Sequence, residues 1–173
     1  MRTLKLIAIA FLCSINMLYA NDTLKVNQLI QKIANTHLSQ IQSDANGKVK
    51  VQLSKVLIAG DSLFFKLHIA NRSNLNYEID FIRFYVRDLK TSKRTVTQEQ
   101  ELYPIVSSDK QNDALKAGSS LNDVFVLKQF PISKTSALFI EVYEKSGSRH
   151  LYLKVKQKHI LKAKAISSIF KQK

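Results

Sequence analysis

A chain of 173 residues accommodates one domain with short extensions. Its net charge is +14, or +12 once Arg2 and Lys5 are set aside with a leader, and such an excess favours polyanions: nucleic acid, acidic lipid or lipopolysaccharide phosphates, or an acidic protein. The single cysteine, Cys13, falls inside that leader, which excludes a disulfide, a thiol nucleophile or a cysteine-ligated zinc from the remainder and leaves core packing to hold the domain together.

Residues 1–20 read as a secretory signal peptide. Arg2 and Lys5 form a basic start, residues 6–12 are an apolar core too short to span a bilayer, and Ala20 supplies the small residue before a cut at Asn21. An uncleaved N-terminal anchor is the rival reading. Lipoprotein processing at Cys13 is a third, set back by Leu12, where that processing wants a small residue.

Residues 21–46 are expected to hold a helix and a linker. Val26, Leu29, Ile30, Ile33, His37 and Ile41 recur at helical spacing, with Asp22 or Thr23 available as N-cap. Such a helix packs on its own domain, tethers it to the membrane side, or docks into a neighbouring subunit. Residues 43–47, Ser-Asp-Ala-Asn-Gly, break the pattern as a loop does.

From Lys48 the period changes to two, predicting strands over 48–58, 62–70, 76–88, 94–103, 119–128, 137–144 and 149–157. Gly60 supplies the positive φ of a tight hairpin at Ala59-Gly60-Asp61. In the second strand Leu63, Phe65, Leu67 and Ile69 share one face, whereas Phe64 interrupts the polar face and is expected beneath a loop or a partner. The third strand has an internal conflict. Tyr77, Ile79 and Phe81 share one face, and Ile82, Phe84 and Val86 share the other, which a period of two does not allow on one buried side. Either a bulge near Phe81–Ile82 resets the phase or the strand is covered on both faces. A similar slip separates Val51 and Leu53 from Val56 and Ile58. Seven short strands with turn signals between them predict an all-β domain over residues 47–158, an immunoglobulin-like antiparallel β-sandwich.

Residues 104–120 read as a polar surface loop. The C-terminal tail, 159–173, is basic, and Leu161, Ala165, Ile166, Ile169 and Phe170 set against its lysines suit a short amphipathic helix. That tail either frays in solvent or lies on anionic membrane or in a partner groove.

Catalytic constellations are not legible. The four glycines stand alone as turn residues, His37, His68, His150 and His159 fall in different elements, and no nucleophile elbow is spelled. The expectation is a non-enzymatic protein with no cofactor and no metal. The conspicuous polar set is Asp80, Arg83, Arg87, Arg94, Glu99, Arg149 and His150. It serves either as an ion-pair network fixing strand register, which the planar arginine fork suits, or as a docking face. Phe64, Tyr85 or Tyr143 exposed beside the charges would mark the second.

Three blocks in this chain resemble a known family. They are the strand Asn71-Arg-Ser-Asn-Leu-Asn-Tyr-Glu-Ile-Asp-Phe-Ile-Arg83, the segment Lys93-Arg-Thr95 with Gln98-Glu99, and Glu144-Lys-Ser-Gly-Ser-Arg-His150. Together they resemble the signature of the TraN family of Bacteroidetes conjugative transposons. The resemblance covers roughly Val49 to Lys164 and implies a counterpart of the outer-membrane-ring β-sandwich subunit of VirB-type type IV secretion systems. It implies a periplasmic, outer-membrane-associated protein whose partners are other secretion-complex subunits, with possible homo-oligomerisation and no enzymatic activity; direct nucleic-acid contact is not expected. The family's usual N-terminal β-rich domain is not found here, which puts a standard structural role in doubt. A stand-alone periplasmic module that binds a polyanion, lipid phosphate or DNA, is the alternative, and steep loss of binding with salt would mark it.

Overall fold

The computed structural model describes residues 26–89, 99–107 and 114–170. The expected leader, the helix start at Asp22 or Thr23, Arg94 and residues 171–173 lie outside them. The chain divides into two units, with the boundary after Thr36. In the first, helix α1 occupies residues 26–35, and Ile30, Ile33 and Ala34 are its buried positions, one stripe at the i, i+3, i+4 spacing. The helix stops short of Ile41. Thr36 closes the last turn, its hydroxyl donating to Lys32 O at 2.7 Å and its N–H to Ile33 O at 3.1 Å.

The second unit begins at His37 and is all-β. Its strands are β1 (Gln40–Asn46), β2 (Val49–Ser54), β3 (Leu57–Ala59), β4 (Ser62–Asn71), β5 (Ile79–Asp88), β6 (Glu99–Leu102), β7 (Val106–Ser107), β8 (Ser120–Lys128), β9 (Ser136–Glu144), β10 (Leu151–Lys156) and β11 (Lys164–Ala165), with helix α2 at Gln157–Leu161 and a 3₁₀ turn at Ile166–Ser168. A seven-stranded sheet is organised on β4, which takes β2 and β3 along one side and β8 along the other. The second sheet has the order β10-β9-β5-β6.

Residues 40–46, read above as the end of a helix and a loop, form strand β1. The turn that follows is only Gly47-Lys48, both at positive φ (55° and 64°), with Asn46 paired to Val49 across it. Two successive positive φ values are what a two-residue hairpin of matching twist requires. Gly60, at φ 58°, closes the β3–β4 hairpin as expected, with Ala59 paired to Ser62.

Both phase conflicts are resolved by one extra residue. Leu53 pairs with Leu67 and Leu57 with Phe64, so residues 54–56 oppose only 65 and 66 of β4. The inserted residue turns Val56 to the same core as Val51 and Leu53. On β5, Ile79 pairs with Glu144 and Phe81 with Tyr143, leaving Asp80 as the bulge. Tyr77 and Ile79 before it, and Phe84 and Val86 after it, thereby enter one core, while Phe81 is sent to the opposite face.

The sheets pack face to face. Val51, Leu53, Phe65, Leu67 and Phe125 of the first meet Phe84, Leu138, Ile140, Leu153 and Val155 of the second in one cluster. At its centre the Phe84 ring lies 6.2 Å from Phe65 and 5.1 Å from Phe125. Each such side chain contributes about 1.5–3 kcal/mol by leaving water. The polar reading of 104–120 needs correction at its apolar residues: β7 pairs with β8, and Leu115 is buried and bridges Tyr77.

One sheet edge is closed by side chains. From alternate positions on β1, Gln42 donates to Lys154 O at 2.7 Å, Asp44 accepts the Tyr152 N–H at 2.8 Å, and Asn46 donates to His150 O at 3.2 Å. These bonds occupy backbone groups of β10 that would otherwise template pairing with another chain.

Candidate functional site

The outer face of the four-stranded sheet is built by alternation. Phe81, Arg83, Tyr85 and Arg87 of β5 stand beside Tyr143, Glu141, Phe139 and Ala137 of β9, their direct register partners. Tyr152 of β10 is opposite Glu141, and Glu101 and Glu99 of β6 are opposite Tyr85 and Arg87. Because successive side chains point to opposite faces, the inward residues between them form the core and these form a second, aromatic and charged layer.

Two groups of rings in contact cross this face. Phe81, Tyr143 and His150 form one, with centroids 4.3 and 4.1 Å apart. Tyr85, Phe139 and Tyr152 form the other, with both spacings 5.3 Å. The Arg83 guanidinium lies 4.5 Å from the Tyr85 ring centre and that of Arg87 lies 4.5 Å from Phe139, within cation–π range. Arg83 also pairs with Glu99 at 3.1 Å and Glu101 at 3.4 Å, and Arg87 with Glu99 at 3.4 Å. Glu141 lies buried at the centre and accepts the hydroxyls of Tyr85 (2.6 Å) and Tyr143 (2.8 Å). Burial, reinforced by these bonds to Glu141, raises both phenols above their ordinary pKa, so both remain hydroxyl donors at neutral pH.

The Asn-x-Ser stretch and the Glu-Lys-x-Gly-x-Arg stretch meet elsewhere, in a second cluster where β4 crosses to β5. Asn71 is fully buried; its amide donates to Leu75 O at 2.7 Å and Leu115 O at 3.0 Å, and its carbonyl accepts the Ser73 N–H at 3.0 Å and hydroxyl at 2.6 Å. Arg149 reaches into the same turn, donating to Ser73 Oγ at 2.9 Å and Asn76 O at 2.6 Å, while Tyr77 donates its hydroxyl to Arg149 O at 3.0 Å. The Arg149 guanidinium also pairs with Glu144. Hydrogen bonds from Arg149, partly offset by burial, hold the Glu144 carboxyl below its usual range. This arrangement fixes a crossover and a hairpin; it leaves no open coordination position and no paired acid and base.

The expected site residues therefore divide. Arg83, Arg87, Tyr143 and His150 meet on the outer face. Tyr85 lies there too, but only 1 % of it is exposed, because Arg83 and Arg87 cover its ring. Asp80 is the exposed bulge residue and Arg149 belongs to the clamp. Phe64 belongs to neither: it sits on the other sheet, 4 % exposed, between Leu57 and Val126. Arg94 lies outside the described residues.

Sequence reasoning missed Phe81, Phe139, Glu141 and Tyr152. The signal was present in β9, where Ala137, Phe139, Glu141 and Tyr143 alternate with Leu138, Ile140 and Val142. A continuous apolar run conceals which residues face the core and which face outward. Among these, Phe81 and Tyr152 remain the open ends of the aromatic layer, 44 % and 36 % exposed.

A family model described as a domain of unknown function (DUF4138) matches residues 23–165. Comparison with curated proteins and with solved structures finds no match.

Proposed function

We propose that this chain, which belongs to the DUF4138 family of domains of unknown function, is a non-enzymatic docking subunit of a conjugative type IV DNA-transfer complex in the cell envelope. The observation that carries the reading is the aromatic and guanidinium layer on the outer face of the four-stranded sheet. Tyrosine and arginine are enriched where protein surfaces associate, and charge is depleted at the centre of such patches. Here the arginines stack on rings and their acidic partners lie at the β6 rim, so the surface offers flat apolar area with fixed donors. A partner would bury Phe81 and Tyr152 at little conformational cost, because their neighbours are already ordered by the Glu141 bonds.

The resemblance of the Asn71–Arg83, Lys93–Glu99 and Glu144–His150 blocks to the TraN signature supports the identity of the complex. The proposed setting is the periplasm, associated with the outer membrane, after removal of residues 1–20.

The test is a cross-linked pull-down of a tagged copy from solubilised envelopes of its host, run beside the double variant Phe81→Ser/Tyr152→Ser. Recovery of transfer-machine subunits with the parent chain, and their loss with a variant of unchanged melting temperature, is the expected result. Recovery of a monomer alone would sink the proposal and favour an independent polyanion-binding module.

A further inference from the structure

As far as Phe170, the basic C-terminal segment is ordered against the sandwich rather than frayed. Between Lys154 and Lys164 the sequence carries five lysines and His159 with no acidic residue, and the structure holds this stretch against the sandwich. Ile160 and Ile166 are buried. β11 pairs in parallel with β3, Lys164 to Leu57 and Ala165 to Ile58, and the Lys164 N–H bonds Val56 O at 3.0 Å. The anchored segment directs Lys156, Lys158, Lys162 and Lys164 to solvent. Leu161 is also turned out, 72 % exposed. In α2 the spacing of 158, 161 and 162 places this leucine on one face with two lysines. Burial and the charges of Lys158, Lys162 and Lys156 push the His159 imidazole below its usual pKa, as expected inside a positive field.

Beside the lysines lies an open cleft of about 720 Å³, formed where the segment crosses the β3–β4 hairpin. Ile58, Ala59, Ala165, Ile166 and Phe170 line it, with Ser167 and Gly60 completing the wall. Its volume is in the range of small-molecule sites, but the walls present aliphatic and aromatic carbon, with one hydroxyl among the side chains. Lys164 directly precedes Ala165 of its wall in β11.

We infer that this region is a binding site for anionic phospholipid at a membrane surface. The lysines meet the phosphate headgroups, Leu161 enters the acyl boundary, and the cleft accepts part of an acyl chain. Charge and apolar insertion together are what reversible membrane attachment requires; either alone is marginal. A nucleic-acid backbone would use the lysines and leave both Leu161 and the apolar cleft without a role. Lys156 ends β10 on the Tyr152 face, whereas α2, Leu161 and the cleft at β3 and β11 lie outside the aromatic layer, so the site does not depend on the docking reading.

The experiment is sedimentation of the protein, as isolated from cells, with vesicles of phosphatidylcholine containing or lacking phosphatidylglycerol. Binding is expected only to the anionic vesicles and to weaken with added salt. Lys158→Glu/Lys162→Glu should lower it by about tenfold or more, and Leu161→Ser and Ala165→Gln should each lower it by about threefold or more, with unchanged circular dichroism and melting. Equal binding to both vesicle types, or indifference to the lysine change, would overturn the site. So would duplex DNA or inorganic polyphosphate binding as tightly while Leu161→Ser and Ala165→Gln have no effect, since the surface would then recognise phosphate polymers.

Discussion

Arg149 bonds Glu144 five residues earlier in the chain and closes the β9–β10 connection on itself. The backbone N–H of Arg149 donates to the same carboxylate at 3.0 Å, so charge pairing and chain direction are set by one group. The arginine then extends to Ser73 and Asn76, tying the hairpin to a crossover more than seventy residues away. Both side chains are largely withdrawn from water, with 16 % of Arg149 and 8 % of Glu144 accessible.

Removing Arg149 should therefore cost far more than removing a surface charge. Arg149→Ala leaves the part-buried Glu144 carboxylate with only the backbone N–H of residue 149 and is expected to lose about 1.5–3 kcal/mol of stability. Arg149→Lys keeps the charge but not the fork that reaches three acceptors, and should lose most of the same amount. Urea denaturation of the three proteins measures this. Near-parent stability of the lysine variant would show that only the charge matters.

Stability should also depend on Glu144 at acid pH. Its folded pKa is depressed, chiefly by the Arg149 hydrogen bonds. A depressed carboxyl contributes fully above its ordinary value of 4.5 and loses that contribution as pH falls through the lower folded value. The urea midpoint of the parent should fall between pH 5 and pH 3 (about the window carboxylates titrate), and Glu144→Gln should flatten that limb. Parallel curves would mean that other carboxylates govern acid unfolding.

Gly147, beside this pair, and Gly60, on the β3–β4 hairpin, are required for different reasons. A Cβ on Gly147 would run into the Glu144 carboxylate, whereas Gly60 has open space but a φ of 58°. Gly60→Ala should cost about 1–2 kcal/mol from the left-handed backbone alone. Gly147→Ala should cost at least as much, by displacing Glu144 from Arg149, and its penalty should shrink in an Arg149→Ala background. Thermal melts of the single and double variants form the cycle that reads this coupling. Additive losses would contradict it.

Glu141 links the two halves of the aromatic layer through Tyr85 and Tyr143. Tyr85→Phe removes the buried hydroxyl bond and should cost about 1–2 kcal/mol. Tyr143→Phe, half-exposed, should cost less. With both removed, the buried carboxylate loses both donors, so the double variant should lose more than the sum. Chemical denaturation of the four proteins decides this, and strict additivity would show that the two bonds act independently.

Much of the fold was legible along the chain because strand alternation is local. β4, β8, β9 and β10 fall within a residue or two of their expected limits, and in β10 Leu151, Leu153 and Val155 repeat every second residue. β1 was not legible: Ile41 continues a helical spacing, and nothing in Gln40–Asn46 is strongly apolar, because this strand pairs through its backbone and spends Gln42, Asp44 and Asn46 on the β10 edge. The bulge on β5 was visible as a phase conflict, but its position at Asp80 depended on which residue of β9 lay opposite.

By itself, the sequence determined an all-β domain, its main strands, a phase conflict in β5 that either a bulge or cover on both faces would relieve, and the basic character of the C-terminal end. Only the tertiary structure decided what the polar signature does. Asn71, Ser73 and Tyr77 lie in one short stretch and Glu144 and Arg149 in another far along the chain, and the bonds between the two exist only once the crossover is folded against the hairpin. Likewise, β9 is apolar along nearly its whole length, so its alternation alone could not say whether Phe139 or Ile140 faced the core. The facing sheet claimed Ile140, and Phe139 was left to the outer layer.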